Sequence, residues 1–277
     1  MAAVAELLRS HMPADQSDWL DLAQTLGQGK LRERAARMDE ENRFPFENYD
    51  DLRQSGLLGL TVPKEYGGGG VDSVTYVGVL TEIAQGCAST GLTFNMHCAI
   101  IDFLSQIASP NQKKKYFHEV VDEGAVLASI TSEPASSFRD VFRVKTQIVQ
   151  DDDGYRLNGT KAWCSLSTAA RYYFTWSRLK NSETLADGLL NVMVPSDRPG
   201  IEIMDDWDTL GMRATASNSI KFDNVRLEQD EVIGEPGVIL TKDLSFWSLG
   251  YTAVYVGIAE AAYAYCLEHA RTQLGYF

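Results

Sequence analysis

The chain is poor in whatever would tie it to a membrane, a nucleic acid or an oxidising compartment. Its 277 residues hold four cysteines, Cys87, Cys98, Cys164 and Cys266, widely scattered. None forms a CxxC pair or has a histidine at ligand spacing, so neither a disulfide framework nor a zinc site is indicated, no metal is expected, and a reducing compartment is. Basic residues are in deficit, 25 against 38 acidic ones, for a formal net charge of −13. Gripping phosphate backbones or anionic lipid needs a cationic face, so neither nucleic acid nor a membrane is expected as a partner. The densest cationic run, Lys113 to Lys115, reads as a solvated helix face. Long apolar runs are missing too: the longest, near Phe246 to Ala259, is too short to cross a bilayer. The opening MAAVAELLRSHMPADQ has no basic stretch followed by an apolar one, and a cytoplasmic location is the expectation. His11, His97, His118 and His269 fall in no Ser/His/Asp order and at no metal spacing.

What is present divides the chain in two. Up to about residue 120, segments such as ENYDDLRQSGLLGL and SVTYVGVLTEIAQGCAS place apolar residues at three- and four-residue intervals, the helical period. KEYGGGGVDS, residues 64–73, lacks the GK[ST] ending of a phosphate-binding loop and the GxGxxG spacing of a dinucleotide fold, and reads as a connection between helices. From about 123 the texture turns to short β-rich runs broken by Pro, Gly and Asp. Asp153-Gly154 and Asn158-Gly159 both favour the positive φ of tight hairpins. After Gly234-Glu235-Pro236-Gly237 the pattern SFWSLGYTAVYVGIAEAAYAYCLEHARTQ returns to a helix, rich in Ala and aromatics, that reads as buried over most of its circumference.

Two stretches carry chemistry. In VLASITSEPASSFRD, residues 126–140, an apolar strand start passes into small hydroxyl residues and then Glu133-Pro134, where pairing ends and a loop opens. In NGTKAWCSLS, residues 158–167, Trp163 and Ser165 stand two apart, which on a regular strand puts both side chains on one face. An indole can lie on a planar ring while a serine bonds its edge, so together the stretches describe one wall of a flavin pocket.

The same stretches resemble motifs of the acyl-CoA dehydrogenase family, in that family's order. LLGLTVPKEYGGGGVD, residues 57–72, is similar to its Val-Pro-x-Glu-Tyr-Gly-Gly signature; ITSEP, 130–134, to its Thr-Glu-Pro motif with Ser132 for threonine. NGTKAWCSLS resembles its Trp-Ile-Thr segment with Cys164 and Ser165 replacing isoleucine and threonine, and residues 210–234 look like the stretch closing its β domain. The resemblance implies an α+β fold: an N-terminal helical domain over 1–122, a middle antiparallel β-barrel domain over 123–236, and over 237–277 the first helix of a C-terminal helical bundle in which the chain is truncated. It implies FAD, with Ser129, Thr131 and Ser132 bordering the isoalloxazine ring, Trp163 packed against it, Ser165 bonding near N5 and O4, and Arg271 reaching the pyrophosphate across a dimer interface. Ser137, Phe94 and His97 would border the substrate.

The implied reaction is α,β-dehydrogenation of an acyl-CoA thioester with hydride transfer to flavin N5, as in fatty acid metabolism. An electron acceptor and a homodimer or homotetramer come with it. No catalytic base can be assigned. Where some members place a glutamate, Trp247 stands with Phe246 beside it, and the other common base position lies beyond Phe277. Residues 135–140 also lack the glycines usual after Glu-Pro. An apolar wall at Trp247 suits a ligand other than CoA about as well, so a flavin monooxygenase on the same fold is a competing reading; the C-terminal half missing relative to the family makes a non-catalytic assembly subunit another.

Overall fold

A computed structural model of the chain describes residues 4–134 and 144–273. Its first part is helical for local reasons. α1 (Val4–Arg9), α2 (Ser17–Leu26), α3 (Arg32–Glu40) and α4 (Phe46–Gln54) are short and amphipathic, with Leu20, Ala23, Met38 and Leu52 turned into the core. α5 (Ser73–Gly86) starts where the Asp72 carboxylate accepts the Thr75 amide at 2.8 Å. α6 (Ala88–Ile107) follows, and α7 (Pro110–Glu123) opens on a Ser109/Gln112 capping box and ends on Gly124 in the left-handed region. The glycine run at 67–70 packs back on the chain: the amides of Gly69 and Gly70 bond the Gly59 and Val62 carbonyls at 2.9 and 2.8 Å. Those amides are spent within the loop, in keeping with a connection.

β1 (Leu127–Ile130), β2 (Gln147–Asp151), β3 (Gly154–Cys164), β4 (Tyr172–Leu179), the single turn α8 (Leu185–Gly188), β5 (Leu189–Pro195), β6 (Ile201–Met204), β7 (Asn218–Leu227) and β8 (Val232–Ile233) complete the middle of the chain. The strands form one sheet, ordered β6-β7-β3-β2-β4-β5-β8, with β1 beside β4. The family resemblance implies an antiparallel barrel; among the described residues the sheet is instead mixed and not closed. β1 and β2 both run parallel to β4, one after the other along the same side of it. β3 returns antiparallel on the far side of β2.

The two turn dipeptides part company. Asp153-Gly154 makes the β2–β3 hairpin, Asp151 pairing with Gly154. Asn158-Gly159 lies inside β3, at a register shift against β7. Gly159 takes φ 150° because a Cβ there would fall 2.6 Å from Thr146 Oγ1, so the glycine serves a close crossing of two strands and no turn.

α9 (Ser245–Gln273) lies across α5 and α6 with its first half. A Cβ at Gly250 would sit 1.9 Å from Asn95 Oδ1, which only a glycine avoids. Ala253 and Val254 are buried beside it. The expectation of burial over most of the circumference fails past Gly257: no described residue of the helix after it is buried, and Tyr263 and Tyr265 are exposed, because packing against α5 ends near Glu260, which holds Gln85 Nε2 at 2.7 Å. The core itself joins helices to sheet, Phe103 on α6 meeting Phe174 on β4 at 6.0 Å between ring centres. Burying a phenylalanine such as Phe174 contributes about 1.5–3 kcal/mol.

Candidate functional site

Where the ends of β1 and β3 meet α6 and α9, the structure leaves a cavity of about 320 Å³. Its sheet wall is made by Ser129, Thr131, Ser132, Trp163 and Ser165, with Thr215 and Ser217 from the segment before β7. Its helical wall is made by Leu92 and Met96 of α6 and Trp247 and Tyr251 of α9; Trp207 and Met212 close the remaining side. Five of the residues singled out from sequence thus come together.

Others do not join them. Phe94 and His97 are wholly buried in the core, on other faces of α6 than Leu92 and Met96. Arg271 is exposed on α9, and from Trp247 it lies about 36 Å along the helix axis. Ser137 lies outside the described residues.

Trp163 and Ser165 reach the cavity by a route that strand alternation does not provide. Between Lys161 and Cys164 the β3–β7 register shifts, and Trp163 takes φ 62°. The bulge leaves the indole 60% exposed at the rim while Ser165, just past the strand end, is 5% exposed inside. Leu166, Met212 and Ala216 also have positive φ, so four non-glycine residues at or beside the cavity are held in the left-handed region. Each such residue costs about 1–3 kcal/mol, and strain of this kind gathers at binding sites.

A buried ion pair holds this wall in place. Lys161 Nζ lies 2.9 Å from Glu133 Oε1 and donates to the Thr131 carbonyl at 3.1 Å, both side chains being almost wholly buried. Glu133 also accepts the amides of Lys145 and Thr146 at 2.8–3.0 Å. Burial by itself would raise the Glu133 pKa; the Lys161 charge and the amides outweigh it and hold the carboxyl below its usual range. The acid of the ITSEP motif is therefore spent on structure. It ties the chain just after β1 to the chain entering β2, and through Lys161 and Thr131 it sets the segment that lines the cavity.

Trp207 is locked as well. Its amide donates to Asn218 Oδ1 at 3.0 Å, and its indole nitrogen to the Met212 carbonyl at 3.1 Å. On the helical side the contacts are apolar. Trp247 stacks on Phe103 at 5.6 Å, and the Tyr251 hydroxyl reaches Met96 Sδ at 3.7 Å. No acid is among the described residues lining the cavity.

His97 serves this site from behind. Its Nε2 donates to the Leu58 carbonyl at 2.9 Å and its Nδ1 accepts the Leu127 amide at 3.1 Å. One proton satisfies both bonds, so the ring is neutral, and burial lowers its pKa to about 4. The ring ties α6 to the start of β1, two residues before Ser129.

A larger cleft of about 870 Å³ runs between the α6–α7 junction and residues 229–238; none of the residues named from sequence as bordering cofactor or substrate is among the described residues that line it. Thr215, Ser217 and Trp207 were missed by the sequence pattern. ATASNS, residues 214–219, carries the same run of small hydroxyl residues that marks ITSEP, and could have been found by that criterion.

Family models for the acyl-CoA dehydrogenase N-terminal domain and middle domain match residues 13–123 and 128–225. The chain belongs to the acyl-CoA dehydrogenase family. Among relatives, it is 32% identical to a dibenzothiophene monooxygenase of Rhodococcus erythropolis over 253 residues, 88% of this chain and 60% of that protein. It is 28% identical to the human short-chain specific acyl-CoA dehydrogenase over 250 residues, 87% of this chain and 59% of that one. The crystal structure of FMN-bound TdsC from Paenibacillus sp. A11-2 superposes with a TM-score of 0.84 at 30% identity, covering 92% of this chain and 66% of that one. Butyryl-CoA dehydrogenase from Megasphaera elsdenii gives 0.86 at 25% identity, covering 95% and 70%. The chain spans about 60% of the length of the curated relatives it matches. No helix among the described residues is long and apolar enough to cross a membrane.

Proposed function

We propose that the cavity seats a flavin and that the full-length protein is a flavin-dependent monooxygenase acting on a small, flat aromatic molecule. The residues present fit the flavin: an indole stands free at the rim, hydroxyls line the inner wall, and the volume is that of a small-ligand pocket. Ser129, Thr131, Ser132 and Ser165 would hold the ring by its polar edge, and Trp163 by its face. FMN bound to TdsC supports the same reading. When bound, a reduced flavin supplies the two electrons that let dioxygen give one oxygen atom to substrate and the other to water.

The observation that carries monooxygenation is the apolar and aromatic part of the lining, Leu92, Met96, Trp207, Met212, Trp247 and Tyr251, with no acid among the described residues of the cavity. Removing the α-proton of a thioester needs a carboxylate within hydrogen-bond reach. An apolar aromatic wall instead stacks a planar substrate and keeps water out. The relatives named dibenzothiophene monooxygenase and the TdsC complex with FMN and indole point the same way.

A second reading, α,β-dehydrogenation of an acyl-CoA, is favoured by the 28% identity to the short-chain enzyme, and requires a base from outside the described residues. The test is turnover of the full-length protein. With regenerated reduced FMN, isotopically heavy dioxygen and a panel of fused aromatic heterocycles, one heavy oxygen should enter the product. Enoyl-thioester formation from butyryl-CoA with an artificial acceptor, and no label in any heterocycle, would overturn the first reading in favour of the second.

A further inference from the structure

Three hydroxyls on the sheet wall form a chain with one fixed end. Thr215 Oγ1 lies 2.9 Å from the Met212 carbonyl oxygen and 2.7 Å from Ser217 Oγ, which lies 2.8 Å from Ser165 Oγ. A carbonyl only accepts, and two oxygens at that distance with no proton between them repel, so Thr215 donates to Met212. Each hydroxyl has a single proton. Thr215 has none left for Ser217, so Ser217 donates to Thr215; Ser217 then has none for Ser165, so Ser165 donates to Ser217. The direction set at Met212 travels to the cavity, and all three hydroxyls meet it with lone pairs alone. The fixed end is itself held, since the same carbonyl takes the Trp207 indole proton at 3.1 Å and the Thr215 amide at 3.2 Å.

We infer that Thr215 and Ser217 are positioning residues that make Ser165 an obligate acceptor, so that the site selects the reduced over the oxidised flavin. The inference rests on the flavin reading above and adds the redox state the protein prefers. The reduced ring carries N–H where the oxidised ring has bare nitrogen lone pairs. An acceptor-only hydroxyl at Ser165 bonds the first and repels the second.

The experiment is anaerobic titration of the full-length protein and its Ser217→Ala, Thr215→Val and Thr215→Ser variants with reduced and with oxidised FMN, together with the reduction potential of the bound flavin. Ser217→Ala releases the Ser165 proton to turn toward the ring. Thr215→Val does so indirectly, because Ser217 loses its acceptor and turns its own proton to Ser165. In both, the ratio of reduced to oxidised affinity is expected to fall about tenfold. For a two-electron couple that is a potential about 30 mV more negative. Thr215→Ser keeps the chain and should keep the ratio, and the Thr215 pair reads the relay by itself should Ser217→Ala fold poorly. An equal loss of affinity for both redox states, with the ratio unchanged, overturns the inference and leaves the flavin reading standing. No binding of either form by the unsubstituted protein overturns both.

Discussion

On the sheet side of the cavity a buried ion pair, Lys161 with Glu133, and a chain of buried hydroxyls stand behind a backbone held at positive φ in Trp163 and Met212. On the helical side the buried His97 is neutral and tied to main-chain atoms, and the cavity lining is aliphatic and aromatic side chains set by the contact of α9 at Gly250. The sheet wall is thus specified by directional bonds that fix hydroxyls to within a hydrogen bond's tolerance. The helical wall is specified by volume and shape, which suits recognition of an apolar substrate. The division matches the two tasks proposed: a cofactor with a definite edge on one side, and a flat molecule with little polarity on the other.

The largest effect should come from breaking the charged anchor. Glu133→Gln or Lys161→Met removes one charge of the buried pair and should cost about 3–5 kcal/mol of unfolding free energy in denaturant titration. Replacing both by apolar residues should recover only part of it, because the Lys145 and Thr146 amides and the Thr131 carbonyl lose their bonds to the pair. A single-variant cost under about 1 kcal/mol would mean that the sheet wall is anchored otherwise.

The neutral anchor should show itself through pH. His97 has a folded pKa lowered to about 4, while in the unfolded chain it titrates near its usual 6.5. The unfolded state therefore binds the proton more readily, and the stability tied to a neutral ring is complete above about 6.5 and lost as pH falls toward 4. His97→Gln cannot titrate, so the stability gap between the two proteins should narrow by about 2 kcal/mol from pH 7 to pH 5. A gap independent of pH would show that the ring is not held neutral.

Trp163 should separate binding from folding. It is mostly exposed and sits at φ 62°, so Trp163→Gly should leave stability unchanged or raise it by about 1 kcal/mol while weakening FMN binding about tenfold. Loss of stability with unaltered FMN affinity would make the indole a packing residue.

Much of the sheet wall was legible because its signals are local. ITSEP and NGTKAWCSLS each place their hydroxyls and indole within a few residues, and both ends arrive at the cavity. The reason given for Trp163 and Ser165 was nevertheless incomplete, because alternation along a strand cannot foresee a bulge. Asn158-Gly159 shows the same limit: a positive-φ glycine serves a hairpin or a close crossing, and only Thr146 across the sheet decides which. The ion pair was not legible, since Glu133 and Lys161 stand 28 residues apart and neither looks buried from its neighbours. On α6 the periodicity marks a buried helix, but which face meets the cavity depends on where α9 and the sheet lie, so Phe94 and His97 were chosen where Leu92 and Met96 line it. The open, mixed sheet follows from β1 and β2 sharing one side of β4, a pairing that no local pattern encodes.

The most direct measurement is a crystal structure of the full-length protein with FMN. The isoalloxazine ring is expected within about 4 Å of the Trp163 indole, with Ser165 Oγ in hydrogen-bond reach of its edge. Density for the ring in the larger cleft beside residues 229–238, with Trp163 untouched, would contradict the account.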